Sequence, residues 1–474
     1  MCSTARPKIC LVTPEFPPTR WGGLARTVAR VAAHVADLGL DTHVLHYRVI
    51  PGPPPLLDEN HVTTRLDPGQ LLGHHHVWDA GHVLSQSPDL GPNLGLDHAP
   101  GHDAQRDGLD GALDQGQVTV HEAALGREAM PDDGRSLWDC PHTLTLRMLF
   151  ESLEILHRAE RFHGFLSFFL YPTAHVVGLL ARREGLPHVA CAVGNDVKKY
   201  VFSPEKVAVC RSGLEAADRL VFLAQDLLDL ANALTPVRGK SRVIFNSVSQ
   251  PTIRWPGPRL GRPFTLGAAG IFKHAKGLPY LFKALALLLR SGEARLELAG
   301  ETRPEEVPLV EALLDRLAIR DVVSFRGVVP HADMPAWLAG LDVFVLPSLS
   351  EGCPNVLMEA MAAGLPCVAS CVGAVGSAGP SEADVVSGGD GVAGSLEFQT
   401  HRAAAPDALV EHGVSGLLVP WGNTAALAVA LDQVRRHPDL AARLGREATR
   451  RMTLFSADRE RAAWEAVLRE VLAW

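Results

Sequence analysis

The sequence predicts an α/β protein made of two doubly wound, parallel-sheet units. A chain of 474 residues exceeds what one ordinary hydrophobic core holds, so two domains are expected. Short apolar runs alternate with segments of helical periodicity near both ends of the chain. This alternation is typical of parallel sheets covered by helices. A stretch rich in Pro, Gly and Arg at 249–263 separates the two sets of elements.

The first unit begins with the apolar run KICLVTP, a predicted buried strand. In LARTVARVAAHVADLGL, apolar residues recur at helical spacing and Gly39 is placed to end the helix. THVLHYRV predicts the next strand. The pairs HVVGLLARREGL with PHVACAV, and RSGLEAADRL with VFLA, predict two further helix–strand steps.

The second unit repeats the scheme. FTLGAAGI, RLELAGE, VVSFRG and DVFVLPS are predicted strands, and GLPYLFKALALLLRSG, VPLVEALLDRLAI, ADMPAWLAGL and PNVLMEAMAAG are the helices that follow them. Ligands of such sheets bind beyond the carboxyl ends of the strands. The functional site is therefore expected in a cleft between the two units.

Domain boundaries follow from these patterns. The sequence predicts a first domain over 1–255, a second over 256–450 and a terminal helix over 451–474. Two segments are rich in small and polar residues, at about 51–138 and 377–405, and are predicted to be irregular insertions. The histidines of the first segment fit no metal-ligand spacing, so a solvated polar loop is the simpler interpretation.

Composition excludes several classes of protein. The formal net charge is −8 and no dense Lys/Arg run occurs, which argues against a nucleic-acid or anionic-membrane partner. The apolar run LFKALALLLR is far shorter than the ~20 residues of a membrane span. The 8 cysteines form no CxxC pair, which favours reduced thiols. A cytoplasmic protein without a transmembrane segment or signal peptide is expected.

The segment SEGCPNVLMEAMAAGLPCVAS at 350–370 carries two glutamates around an apolar stretch. Glu351 is predicted in the loop before a helix, and Glu359 inside the helix on the same face as Asn355. The free N–H groups of a helix start favour an anion, and carboxylates accept hydrogen bonds from hydroxyls. The combination suits a phosphate attached to sugars. On spacing alone, a capping acid and a solvated glutamate explain the pair equally well.

Three weaker signals point to the same kind of ligand. Gly22 and Gly23 precede the first helix and allow a close backbone approach, although a tight turn explains them equally well. Lys273 and Lys276 follow the first strand of the second unit, where they either neutralise a diphosphate or are solvated loop residues. Gly327 ends a strand next to the one that leads to Glu351.

Together these motifs resemble the retaining glycosyltransferases of family 4, the group 1 enzymes that include glycogen synthase. The matching pieces are PEFPP…GG, the KG loop at Lys276, the F-x-G strand end at Phe325–Gly327, DVFVLPS followed by the two-glutamate motif, and EHGVSGLLVPWGN. The resemblance implies the GT-B fold, in which two Rossmann-like domains face a central cleft. It also implies that the terminal helix crosses back to the first domain.

The resemblance implies a reaction and a set of roles. A sugar moves from a nucleoside-diphosphate sugar, with a UDP-sugar expected, to a hydroxyl of a glycan, lipid or small molecule, with anomeric configuration kept and no metal or other cofactor. Catalytic roles fall to Glu351 at the transferred sugar and to Lys276, helped by Lys273, at the leaving diphosphate. The remaining positions are implied to bind the donor (Gly22, Gly23, Gly327, Asn355, Val356, Leu357 and, at the ribose, Glu359) and the acceptor or sugar (Asn195, Asp196).

Two positions depart from the family pattern. Ile271 stands where family members usually carry an Arg, and Val193 where many have a His. Lys273 supplies charge near the first position but cannot form the bidentate fork of a guanidinium. These departures keep a non-catalytic nucleotide-sugar-binding protein open as an alternative. A nucleotide-sugar epimerase of the same fold is another, although the glutamate spacing argues against it.

Overall fold

Two twisted sheets carry the two halves of the chain. The computed structural model describes residues 6–17, 23–51, 61–66, 118–127, 143–376 and 408–472. The first sheet has strand order β3-β4-β2-β1-β5-β6-β7-β8 and the second has β11-β10-β9-β12-β13-β14. The strands are β1 Lys8–Thr13, β2 Asp41–Pro51, β3 His61–Leu66, β4 Val118–Arg127, β5 Gly164–Phe168, β6 His188–Ala192, β7 Arg219–Phe222, β8 Ser241–Val243, β9 Phe264–Ala269, β10 Ala294–Ala299, β11 Val323–Gly327, β12 Val343–Leu346, β13 Cys367–Ser370 and β14 Leu417–Val419.

Helices cover both sheets on both faces. They are α1 Gly23–Asp37, α2 Thr143–Glu160, α3 His175–Glu184, α4 Asn195–Lys198, α5 Val207–Ala216, α6 Gln225–Leu234, α7 Leu278–Leu288, α8 Val307–Leu317, α9 Met334–Ala339, α10 Asn355–Ala362, α11 Thr424–Arg436, α12 Pro438–Met452 and α13 Ala457–Leu472. Among the residues described, no helix is both long enough and apolar enough to cross a bilayer.

The strands are apolar on both faces because helices cover both. Along β1, Ile9 and Leu11 belong to one core, and the alternating residues Cys10 and Val12 belong to the core beneath α2 and α3. Successive side chains of a strand point to opposite faces, so the continuous run KICLVT fills two cores at once. The core that contains Ile9 continues into the second domain, where it includes Phe344 of β12.

Both sheets reverse their winding direction at the first strand. β1 pairs with β2 on one side and β5 on the other, and β9 pairs with β10 and β12. Such a reversal leaves a crevice at the carboxyl ends of the strands, where doubly wound sheets bind ligands. The doubly wound α/β class predicted from the sequence is confirmed.

The segment at about 51–138 was predicted to be irregular, and this was wrong for parts of it. β4 runs parallel to β2, and β3 runs antiparallel to β4 at the edge of the sheet. VTVHEAALGR has little of the apolar character that marks the other strands, and its pairing with β2 is what orders it. The remainder of that segment, with its histidines, and the segment 377–405 lie outside the described residues.

The last helix, α13, lies against α1 of the first domain, and a buried carboxylate joins them. Arg30 donates from Nε to Glu460 Oε2 at 2.6 Å, and Ser247 and His34 Nε2 also contact this oxygen. Burial raises the pKa of Glu460, but the charge of Arg30 and the hydrogen bonds from His34, Arg30 and Ser247 outweigh it and bring the pKa to about 2. The ion pair therefore persists far into the acidic range.

Glu460→Gln is expected to lower the free energy of unfolding by about 3–5 kcal/mol, because Arg30 would lose the charge that compensates it in a buried site. Chemical denaturation at neutral pH measures the loss. Glu465→Gln on the same helix is the matched control. Its ion pair with Arg469 is an exposed i,i+4 pair, so a change below about 0.5 kcal/mol is expected. Equal effects of the two substitutions would contradict this role of Glu460.

The pH dependence has a defined sign. The folded pKa of Glu460 lies below its ordinary value of 4.5, so its stabilising contribution is complete above that pH. The contribution is lost as the pH falls from about 4.5 towards about 2. The difference in stability between the wild-type protein and Glu460→Gln should therefore shrink across this interval, as acid-unfolding curves would show.

Candidate functional site

Four loops at the carboxyl ends of strands form one cleft between the domains. From the first domain come the start of α1, which follows β1, and the start of α4, which follows β6. From the second come the loop 270–277 after β9 and the loop 347–354 between β12 and α10. Among the described residues, all those with a role implied by the resemblance lie on or beside these loops, except Gly327 at the end of β11.

Two hydrogen-bond donors hold the side chain of Glu351 in place. Lys276 Nζ lies 2.7 Å from Glu351 Oε1, and Ser348 Oγ donates to the same oxygen at 2.6 Å. The glutamate side chain is only 10% exposed. A carboxylate with one oxygen engaged keeps its second oxygen for another donor such as a sugar hydroxyl.

The Lys276 loop lies directly against the loop that carries Glu351. The N–H of Leu349 donates to the carbonyl of Ala275 at 2.9 Å. Gly277 has a φ of 69°, and a Cβ there would overlap the carbonyl oxygen of Pro347. The glycine after Lys276 is therefore required twice, for its left-handed backbone and for the close approach that brings lysine to glutamate.

Lys273 adds a second cation to this part of the cleft. Burial lowers the pKa of its ammonium group, and the charges of Lys276 and Arg303 lower it further. No ion pair engages Lys273 among the residues that the structure describes. The negative charge of Glu351 opposes this lowering of the Lys273 pKa. An anionic ligand would relieve the repulsion among these cations.

Across the cleft, α1 and α10 meet at their first turns. Asn355 Nδ2 donates to the carbonyl of Gly23 at 3.1 Å, and Arg26 Nη1 donates to Glu359 Oε1 at 2.7 Å. Asn355 and Glu359 thus share a helical face, as their spacing predicted, and this face is turned towards the first domain. Gly22 lies outside the described residues.

The helix α4 and the loop before it form the second bridge between the domains. Lys198 Nζ donates to the backbone carbonyl of Glu351 at 2.8 Å and pairs with Asp226 at 2.7 Å. A Cβ on Gly352 would overlap the carbonyl oxygen of Val193, so the backbones of the two domains approach to van der Waals contact here. This contact sets how closely the domains approach.

Asp196 does not face the cleft. Its side chain is fully buried and its carboxylate accepts hydrogen bonds from the N–H groups of Leu170, Val193 and Gly194 at 2.8–3.2 Å. Burial raises its pKa, and these bonds oppose the rise. In this structure the carboxylate therefore shapes the loop, and the contact of Asp196 with sugar or acceptor stays a prediction. Asn195, at the first position of α4, is exposed.

The other predicted positions lie around α10 and its neighbouring strands. Leu357 is fully buried, so only its backbone N–H faces the helix start, whereas Val356 is half-buried. The first N–H groups of a helix have no intrahelical partner, which leaves this start suited to an anion. Gly327 ends β11 and its carbonyl accepts from the N–H of Gly300 at 2.6 Å. Ile271 is 50% exposed at the end of β9.

Three contacts of the site were missed in the sequence. Arg26, Lys198 and Ser348 each hold a predicted residue or loop in place. Arg26 left a readable signal, since a cation in the first turn of a helix is unfavourable with the helix dipole and needs a compensating partner. Lys198 left none, because its partner is defined only by the approach of a separate loop. Ser348 left only its spacing of three residues from Glu351.

Residues 263–391 match the family model described as "Glycosyl transferases group 1". This part of the second domain is thus similar to the group 1 glycosyltransferases. It contains the Lys276 loop, the F-x-G strand end and both glutamates of α10 and its preceding loop. The predicted resemblance to group 1 glycosyltransferases is confirmed for these residues.

Curated relatives agree with this assignment over longer stretches. The chain is 28% identical over 315 residues to D-inositol 3-phosphate glycosyltransferase of Streptomyces avermitilis, which covers 60% of this chain and 61% of that enzyme. It is 25% identical over 467 residues to glycogen synthase of Mycobacterium tuberculosis, covering 94% of this chain and 90% of that enzyme.

A solved structure shares the fold of the described residues. The Anabaena protein HepE, determined in complex with UDP and glucose, aligns with a TM-score of 0.63 and 16% identity. This alignment covers 98% of this chain and 99% of HepE. The group 1 domain thus sits in a two-domain GT-B fold, as predicted.

Gly352→Ala is expected to hold the two domains apart, because its Cβ would overlap the Val193 carbonyl and the backbone of each domain is fixed by its own sheet. We expect a larger radius of gyration in small-angle scattering and a destabilisation of about 1–3 kcal/mol, typical of overpacking. Gly239→Ala is the control, since nothing lies within 4 Å of a Cβ at that position. An unchanged radius of gyration in Gly352→Ala would contradict the assigned role of this contact.

Proposed function

We propose that the protein is a retaining hexosyltransferase of family 4 that uses a nucleoside-diphosphate sugar and an acceptor hydroxyl. The observation that carries the proposal is the pairing of Glu351 with Lys276 in the interdomain cleft, beside the free helix start of α10. Glu351 accepts hydrogen bonds from hydroxyl groups, and Lys276 places a positive charge beside it. A sugar joined to a diphosphate presents the complementary groups in the same order.

The chain's own residues account for the charge that the reaction develops. As the bond between the anomeric carbon and the diphosphate breaks, negative charge grows on the leaving oxygen. Lys276 and Lys273 lie where they stabilise it, together with the N–H groups at the start of α10. Each well-placed donor of this kind contributes on the order of 3–4 kcal/mol to transition-state stabilisation. These groups take the place that a metal ion fills in other glycosyltransferases, and no cofactor is proposed.

Retention follows if the acceptor attacks from the side of the leaving group. The acceptor oxygen forms the new bond to the anomeric carbon, and the departing diphosphate oxygen takes the acceptor's proton. Glu351 then orients the transferred sugar through its hydroxyls. The short hydrogen bonds from Lys276 and Ser348 hold its carboxylate in one place during the reaction.

We propose a UDP-sugar as the donor. HepE, whose structure contains UDP and glucose, shares the fold over the whole chain and supports this choice. The two curated relatives are named for different acceptors, an inositol phosphate and glycogen. The acceptor class proposed here is accordingly a glycan, lipid or small-molecule hydroxyl. We place the reaction in the cytoplasm, which is supported by six free cysteines among the described residues, five of them buried.

The donor is tested first by thermal stabilisation with UDP, GDP, ADP, dTDP and their sugar conjugates at matched concentrations. A ligand at about 100 times its dissociation constant stabilises by about 2.7 kcal/mol, which gives a readable shift in melting temperature. We expect UDP and a UDP-sugar to give the shift. If none of these ligands shifts the melting temperature, the proposed nucleotide-sugar site loses its support.

Glu351→Gln then separates binding from transfer. The amide keeps the shape but loses the negative charge that faces Lys276, so transfer is expected to fall about 100-fold or more while stabilisation by UDP persists. Glu305→Gln, an exposed change on the same domain, serves as the control. If wild type binds a UDP-sugar but transfers to no acceptor in a broad panel, a non-catalytic binding protein replaces the enzyme proposal. The NMR signal of the product's anomeric proton reports whether configuration is kept.

A further inference from the structure

Arg26 lies in the cleft at a position that is electrostatically unfavourable for a cation. It lies in the first turn of α1, a turn with no acidic residue, where the helix dipole disfavours a cation. Its guanidinium reaches out of the first domain to Glu359 Oε1 at 2.7 Å. Both side chains are largely sheltered, with 28% and 19% exposure for Arg26 and Glu359. The pair is therefore less screened than an ordinary surface ion pair.

A second segment of the second domain also contacts the guanidinium. His331, in the loop after β11, lies with Nδ1 3.2 Å from Arg26 Nη1. Arginine only donates, so this ring nitrogen accepts and the histidine proton is on the other nitrogen. The same Arg26 nitrogen thus bridges α10 and the β11 loop, which fixes its position from two sides.

The face of α10 that meets α1 carries two acceptor atoms without partners. Glu359 Oε2 and Asn355 Oδ1 are both buried, and neither accepts a hydrogen bond from any residue that the structure describes. The first domain satisfies the other polar atom of each side chain, through Arg26 for Glu359 and through the Gly23 carbonyl for Asn355. The Gly23 carbonyl also fixes the amide orientation, because a flipped amide would place two oxygens together.

These two unpaired acceptors lie one turn apart on one helix face, so a ligand that binds both needs two hydrogen-bond donors at a similar spacing. Each buried acceptor without a partner costs about 1–3 kcal/mol, so a ligand with two neighbouring hydroxyl donors gains from both. A vicinal diol has this arrangement, and the ribose of a nucleotide carries one.

We propose that Arg26 is a positioning residue that aims Glu359 at the ribose hydroxyls of the donor, so that ribose recognition and closure of the two domains are one event. This inference rests on the proposed function. Arg26 occupies one carboxylate oxygen and directs the other to the ligand, and the link to His331 keeps the guanidinium from turning away. Without Arg26, Glu359 rotates towards solvent and the diol loses its oriented acceptor.

The test compares UDP with 2′,3′-dideoxyuridine diphosphate by titration calorimetry. For wild type, loss of both hydroxyls is expected to weaken binding about 10-fold or more. In Arg26→Gln this ratio should fall to about 3-fold or less, while the diphosphate still binds. Arg26→Lys keeps the charge and one donor and should restore part of the discrimination. Arg158→Gln, an exposed arginine of α2, is the control and should leave the ratio unchanged.

Each outcome supports or contradicts the proposed role of Arg26. If wild type does not bind UDP, the proposed function fails and takes this inference with it. If wild type binds but Arg26→Gln discriminates the two ligands as wild type does, Arg26 has no positioning role. If Arg26→Gln binds UDP more tightly than wild type, Arg26 competes with ribose for Glu359 and the inference is overturned. Circular dichroism of each variant shows whether its fold is intact. If the glutamine variant misfolds, Arg26→Lys decides: a ratio below that of wild type, caused by weaker UDP binding, supports the role, and an unchanged ratio refutes it.

Discussion

The close approach of two backbones at Gly352 and Val193 sets the geometry of the cleft. Only a residue without a side chain permits the two domains to meet at this point. The approach places Lys198 within 2.8 Å of the Glu351 carbonyl, and at the other end of the cleft Arg26 reaches Glu359. Each of these bonds is directional and short-ranged, so a small widening of the cleft removes both.

Charge in the cleft is arranged asymmetrically between the domains. The second domain supplies both glutamates and the lysines of the 270–277 loop, while the first supplies Arg26 and Lys198. The first domain therefore holds the second by cations placed on its carboxylate and carbonyl oxygens. This arrangement leaves Lys273 without a carboxylate partner among the described residues and keeps the positive charge of the site concentrated beside the start of α10. An anion in the cleft acts as the missing counter-charge for the whole assembly.

Most of the fold was predictable because its elements are locally encoded. The apolar runs of β1, β9 and β12 and the periodicity of α1 and α7 fix strand and helix without knowledge of the partner. β4 was not predictable, since its mixed sequence becomes a strand only through pairing with β2. The burial of individual polar residues was not predictable either. In the sequence Asp196 resembles any polar loop residue, and only the N–H groups around its carboxylate show that it is buried.

For the site, family motifs located Glu351, Glu359 and Lys276, but the partners of these residues come from distant parts of the chain. The Arg26–Glu359 pair joins positions 333 residues apart, and no local pattern specifies such a contact. Residue type alone also left the role of Asn355 undefined, because either amide atom can face a neighbour. The Gly23 carbonyl settles that orientation.

The packing of α13 on α1 has a consequence for how the protein is made. Arg30 emerges from the ribosome 430 residues before its counter-charge, Glu460. Domains of a growing chain generally fold in order from the N-terminus, but here the first domain remains incomplete until the second has been translated. Until Glu460 has been synthesised, Arg30 lacks the counter-charge that stabilises it in the folded protein. The final packing of α1 therefore waits for a segment that follows the second domain in the sequence.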